Sequence, residues 1–166
     1  MIGVKESARF NTVMVAVKLV ILLFFVVLGV YFFDLDNWFP KDAPSTWQGF
    51  APNGMSGIAT GAAIVFFAYI GFDAVSTAGE EAKNPRRDLP IGILGSLAVC
   101  TIIYMVVAGV LTGMTSYTRL NNAEPLAVAL SEKGLGWASA IVAFGSVVAH
   151  TAVLLVFQMG QPRIFF

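Results

Sequence analysis

The chain has 166 residues, 57% of them hydrophobic and only 12% charged, with a mean hydropathy of +0.79; a soluble domain carries about 25% charged residues, so the composition excludes one and places the chain in a bilayer. Ten basic residues balance ten acidic ones, which leaves neither a basic face for nucleic acid nor an acidic tail for a solvated linker. Cys100 is the only cysteine, which excludes an intramolecular disulfide and a cysteine-built metal site and assigns it to small apolar packing in a helix.

The amino-terminal stretch MIGVKESARF sets Lys5 and Arg9 before an apolar run, as a secretory signal would. The run continues to Phe33 with no small-residue cleavage site, so the sequence predicts a spanning helix over 10–33; about 20 apolar residues cross a bilayer. Its single charge, Lys18, lies about 12 Å into the span at roughly 1.5 Å per residue. Two readings of it stand. The amine reaches back to the headgroups near the limit of a lysine stem, or it faces the bundle interior, where desolvation favours loss of the proton and makes Lys18 a proton-coupling candidate.

The next segment, DLDNWFPKDAPSTWQGFAPNG, is too rich in Pro, Gly and Asp for the hydrocarbon core. It reads as an ordered loop at the headgroup interface, with Trp38 and Trp47 as amphipathic anchors.

A second span is predicted over 55–78, broken near 68–73 within FFAYIGFDAVSTAGEEAKNPRRD. Every backbone group in lipid needs a partner, and an ionised Asp73 at bilayer depth costs about 2.5–3.5 kcal/mol. Gly71 beside Asp73 therefore fits a local unwinding that lines a polar gap. Such a break releases the carbonyls of Phe66, Phe67, Ala68 and Ile70 toward a substrate ammonium or a cation, while the helix that follows offers its amino-terminal dipole to a carboxylate. The plainer reading has Gly71 packing against a neighbour and Asp73 close to the interface or paired with a base. Beyond the span, Glu80, Glu81, Lys83, Arg86, Arg87 and Asp88 form a mixed-charge exit interrupted by Pro85, a solvated helix end or a charge network that latches that side.

A third span, 89–115, carries no charge. Within SYTRLNNAEPLAVALSEKG, Pro125 marks a helix start and Gly134 a stop, which predicts a short surface helix over 123–133. The fourth span, 135–160, contains His150, either a proton acceptor or substrate contact on a cavity, or a residue with one hydrogen bond to a neighbouring helix. Gly57 with Gly61, and Gly109 with Gly113, have the small-residue spacing that lets helices approach closely. The whole chain, 1–166, is thus one transmembrane region.

Six basic residues (Lys5, Arg9, Lys83, Arg86, Arg87, Arg163) fall on one side of these spans and three (Lys41, Arg119, Lys133) on the other. That imbalance places the amino-terminal end, the 79–88 loop and the carboxyl-terminal end in the cytoplasm of a multi-pass protein of the plasma or inner membrane. No hydrolase elbow, Walker loop, zinc spacing or dinucleotide fingerprint is present, so an enzyme reading has no constellation on which to rest and no cofactor is expected.

The run FFAYIGFDAVSTAGEEAKNPRRDLPIGILGSL resembles the sixth and seventh transmembrane segments of the amino acid-polyamine-organocation superfamily, in its cationic amino acid transporter branch and bacterial relatives. ESARFNTVMVAVKLVILL looks like the fifth segment, YTRLNNAEPLAVAL like the outer loop helix, and GSVVAHTAVLLVFQMGQPRI like the eighth. The resemblance implies an all-α membrane fold of five-plus-five inverted repeats, of which this chain is an internal slice of four helices whose remaining segments lie elsewhere in the full-length chain.

It further implies that the carbonyls of Phe67, Ala68 and Ile70, at the break marked by Gly71, receive the α-ammonium of an L-amino acid. Lys18 matches a fifth-segment lysine that stands, in proton-coupled relatives, where a sodium ion sits in others, and the proton becomes the coupling ion. The half-site for the carboxylate, a Gly-rich break in the first segment, has no counterpart here. His150 and Ala149 depart from the branch pattern, which usually has an apolar or small polar residue and a glycine there, and this leaves cationic and neutral substrates both open. The function implied is proton-coupled, alternating-access transport of amino acids. The rivals are a non-transporting scaffold or sensor and a cation channel subunit on the same fold.

Overall fold

The computed structural model describes residues 2–41, 43–69, 71 and 84–164, and the side chains of residues 9–158 among them. The described residues are helical, with no strand. In chain order they form α1 (Ile2–Tyr31), α2 (Thr46–Phe50), α3 (Gly54–Phe66), α4 (Pro85–Met114), α5 (Pro125–Glu132) and α6 (Gly136–Ile164). Short 3₁₀ turns stand at Leu35–Asn37, Phe67–Tyr69 and Tyr117–Arg119. Four segments are long and apolar enough to cross a membrane: Arg9–Tyr31, Thr46–Tyr69, Pro85–Met114 and Gly136–Gln158.

The chain divides into two compact units, Met1–Phe33 with Val106–Phe166, and Asp34–Met105. In the first, α1 and α5 both pack on α6. Its core is built on Phe25, Met114 and Leu130, with Ala127, Ala129, Ala138 and Val142 around them. Between membrane helices it is close packing, not water exclusion, that holds the elements together, and small side chains let backbones approach. Gly145 does this on α6, where a Cβ would stand 2.7 Å from Ile21 Cγ2 of α1. The absent side chain of Gly113 likewise leaves room for the Phe33 ring, and Phe24 meets Trp137 edge-on with ring centroids 5.8 Å apart.

Helix α5 starts at Pro125, whose fixed φ suits a first turn and whose missing N–H is not needed there. It ends in a Schellman motif: Leu135 N–H donates to the Leu130 carbonyl at 3.0 Å and Gly134 N–H to Ser131 at 2.9 Å. Gly134 supplies the required positive φ of 79°.

In the second unit the interfacial loop is ordered by its own side chains. Asp34 accepts from the Asp36 N–H at 3.0 Å, Ser45 caps α2 by accepting from Gln48 N–H at 3.2 Å, and the Phe39 and Phe50 rings stack at 6.0 Å. Lys41 meets Asp36 at 2.8 Å, and that hydrogen bond holds the Lys41 pKa above the usual lysine value. Trp38 closes on Phe50 at 6.3 Å.

Sequence spacing began the third span at Leu89, whereas α4 begins at Pro85 and carries Pro90 inside it. The reason is local: the Asn84 carbonyl accepts from Arg87 and Asp88 N–H at 3.0 and 2.9 Å, and the Asp88 carboxylate accepts from Asn84 N–H at 3.2 Å. The polar residues 85–88 are thereby drawn into the helix.

Candidate functional site

In the second unit the second spanning segment, Thr46–Tyr69, closes on a change of helix geometry. Helix α3 stops at Phe66, where the Phe67 N–H is shared between the carbonyls of Ile64 and Val65. The chain tightens into a 3₁₀ turn over Phe67–Tyr69, and Gly71 has φ of +123°, a conformation open to glycine and strained for other residues. A change from α to 3₁₀ geometry departs from the regular i→i−4 pairing and calls for other partners for main-chain groups.

Helix α4 satisfies one of them. Tyr104 Oη donates to the Ala68 carbonyl at 3.2 Å. Tyr69 Oη and Thr101 Oγ1 lie 3.0 Å apart; because the single Thr101 proton goes to the Leu97 carbonyl at 2.8 Å, the tyrosine is the donor of that pair. The two tyrosine rings also meet edge-to-face, centroids 5.4 Å apart at 72°. Thr101 and Tyr104, three residues apart on one face of α4, thus hold the turn 68–69 from the side. The Ala68 oxygen has two lone pairs, and one is taken by Tyr104.

Phe67 is 69% exposed, and its carbonyl belongs to the same turn. Ile70 and Asp73, the other candidates at this break, lie outside the described residues, as do Glu80, Glu81 and Lys83.

Lys18 and His150 belong to the first unit. Lys18, half-buried on α1, lines a cavity of about 170 Å³ together with Phe25, Glu124, Val142, Ser146 and Ala149. Lys18 makes no ion pair among the described residues. Glu124, immediately before α5, accepts a hydrogen bond from Ser146 Oγ at 3.2 Å. His150 is exposed on α6, with Nδ1 2.7 Å from the Ser146 carbonyl one turn back, a geometry in which Nδ1 carries a proton and donates it to that carbonyl. One acid, Glu124, therefore shares the cavity with the lysine.

Tyr104, Thr101 and Glu124 were not singled out from the sequence. The signal for the first two was a pair of hydroxyl-bearing residues at helical spacing in a largely apolar span that also holds Ser96 and Thr112. Glu124 fell inside the short surface helix predicted over 123–133 and carried no role there.

A family model described as amino acid permease matches residues 1–166. Among curated proteins the chain is 44% identical over 164 residues to the methylthioribose transporter of Bacillus subtilis, covering 99% of the chain and 34% of that protein. It is 46% identical to cationic amino acid transporter 9, chloroplastic, of Arabidopsis thaliana, over 98% of the chain and 27% of the relative. It is 44% identical to the branched-chain amino acid permease BcaP of Bacillus subtilis, over 99% and 34%. The chain therefore spans about a quarter to a third of the length of these relatives.

Proposed function

The chain belongs to the amino acid permease family, and from that premise we propose that it supplies a substrate half-site and a coupling group to a transporter that carries L-amino acids across a plasma or inner membrane. The observation that carries this reading is the 3₁₀ turn at 67–69, which closes the apolar span Thr46–Tyr69 and is followed by the positive-φ Gly71. In this reading the carbonyls of Phe67, Ala68 and Ile70 receive the α-ammonium, Asp73 lines the polar gap, and His150 contacts the substrate side chain. Transmembrane segments outside this chain supply the carboxylate half-site.

Lys18 is the coupling group. Charged, it holds α1 against its neighbours across the cavity; on losing its proton it relaxes that contact, so proton and amino acid bias the same two-state rearrangement of alternating access. Main-chain carbonyls recognise what all amino acids share and leave selectivity to side chains. The names of two relatives, which span cationic and branched-chain amino acids, are in keeping with such a site; methylthioribose, a sugar without an α-ammonium, is the rival substrate that a third name offers.

The test is uptake by the full-length protein in proteoliposomes, at several pH values, of L-leucine, L-lysine, L-alanine and methylthioribose. Saturable uptake of an amino acid is expected. Uptake of methylthioribose alone would replace the substrate class, and ion conductance without saturable uptake would favour a channel. In the same preparation Lys18→Ala is expected to lower proton-gradient-driven uptake by about 5–150-fold, the usual size of a coupling term, while substrate exchange persists. Gradient-driven uptake at the wild-type rate in that variant would remove Lys18 from coupling.

A further inference from the structure

We infer that Tyr104 is the positioning residue for the Ala68 carbonyl, fixing that oxygen as an acceptor for the substrate ammonium; the inference rests on the reading of Ala68 as a substrate contact. Tyr104 touches no substrate in this role. It acts through the carbonyl to which it donates at 3.2 Å.

A 3₁₀ turn changes what a carbonyl in an apolar span can pair with. An acceptor released from i→i−4 pairing has no water to turn to, and leaving it unpaired costs several kcal/mol. Unless another donor is supplied, the cheapest remedy is to rewind the turn so that the oxygen regains a main-chain N–H, which withdraws it from the gap. The Tyr104 hydroxyl removes that incentive by occupying one lone pair, and a carbonyl oxygen has a second with which it can accept from a ligand.

Position is fixed at three further points. Tyr69 donates to Thr101 at 3.0 Å, Thr101 is itself anchored on the Leu97 carbonyl at 2.8 Å, and the Tyr69 and Tyr104 rings meet edge-to-face. The turn is therefore held by α4 at residue 68 through its main chain and at residue 69 through its side chain. Only the first of these contacts acts on a carbonyl assigned to the substrate. The two ties should accordingly differ in their effect on binding.

Tyr104→Phe keeps the ring and its edge contact and deletes only the hydroxyl. In the full-length protein in proteoliposomes, measured with whichever of L-leucine and L-lysine the wild type takes up, KM should rise about three- to tenfold, the loss of one neutral hydrogen bond. Vmax should stay within about twofold, and the thermal midpoint of the detergent-solubilised protein should be unchanged. Tyr69→Phe, which removes the sibling tie and leaves the Ala68 donor in place, should raise KM less.

An unchanged KM in Tyr104→Phe overturns the inference, as does a loss confined to Vmax or to the amount of folded protein. Equal KM effects in Tyr104→Phe and Tyr69→Phe also overturn it, because the turn would then need only bracing. Should the wild type take up neither amino acid, the amino acid reading falls first and this inference with it; wild-type uptake with an indifferent Tyr104→Phe removes this inference alone.

Discussion

At Gly71 the backbone takes φ of +123°, and a Cβ added there would meet none of the described atoms within 4 Å. The requirement for glycine is thus conformational and not a matter of space, and a side chain would cost about 1–3 kcal/mol of backbone strain. Gly71→Ala should shift the turn and raise the substrate KM of the full-length protein about tenfold, and Gly71→Val, stiffened by its β-branch, should raise it further. Substrate titration alongside the yield of membrane-inserted protein checks this; equal affinity in all three proteins would assign Gly71 to packing. Gly71 was legible in the sequence because a glycine two residues before an aspartate is conspicuous in an apolar run. The partner of Ala68 was not: Tyr104 lies 36 residues away, and a tyrosine in a membrane span reads equally as bulk, interface anchor or donor. Lys18 was legible as an isolated charge, but Glu124, which shares its cavity, is brought there by the fold of α5 onto α6 and by nothing local.

Among the helices, the small-residue spacing drew attention to Gly57, Gly61, Gly109 and Gly113. In the structure close contact falls at Gly113 against Phe33 and at Gly145 against Ile21, while no described atom comes within 4 Å of a Cβ at Gly61. Spacing marks where a backbone can be approached; which positions are approached depends on the partner helix, and that is a tertiary fact. The contact of α1 with α6 at Gly145 is the one that carries Lys18 and Ser146 on its two sides of the cavity. Gly145→Val would drive a side chain into Ile21, at a cost of about 1–3 kcal/mol for overpacking. The expected outcome is a lower thermal midpoint of the solubilised full-length protein, largely recovered in Gly145→Val with Ile21→Ala, since residues in direct contact do not add independently. A thermal midpoint that stays put in the single variant would show that α1 and α6 do not meet at this glycine. Helix ends were the least legible feature at this scale. Residues 85–88 read as a charged exit, and it took the reciprocal bonds between Asn84 and Asp88 to make them the first turn of α4.

Across the whole molecule the four spanning segments leave three connections, and the basic residues divide six to three between the two sides. Lys and Arg near span ends resist translocation, so the side with six, which includes Arg86 and Arg87 at the start of α4, is expected to be the cytoplasmic one. The loop before α3, with Asp34, Asp36 and one ion-paired lysine, then faces outward together with the residues leading into α5. Because Cys100 is the only cysteine, this orientation can be read with single-cysteine labels in a Cys100→Ser background. Thr46→Cys and Asn121→Cys, both at exposed positions, should react with a membrane-impermeant maleimide on intact cells. Asn84→Cys, exposed at the head of α4, should react only after permeabilisation. The opposite pattern would invert the chain, and labelling of all three from outside would mean that one of the connecting helices does not cross the bilayer. The orientation also constrains the coupling proposal. Glu124, at the outward end of the cavity, would then meet outside water before Lys18 does, so a modest drop in external pH should act on uptake in cells whose internal pH is clamped, and an equal internal drop should not act the same way.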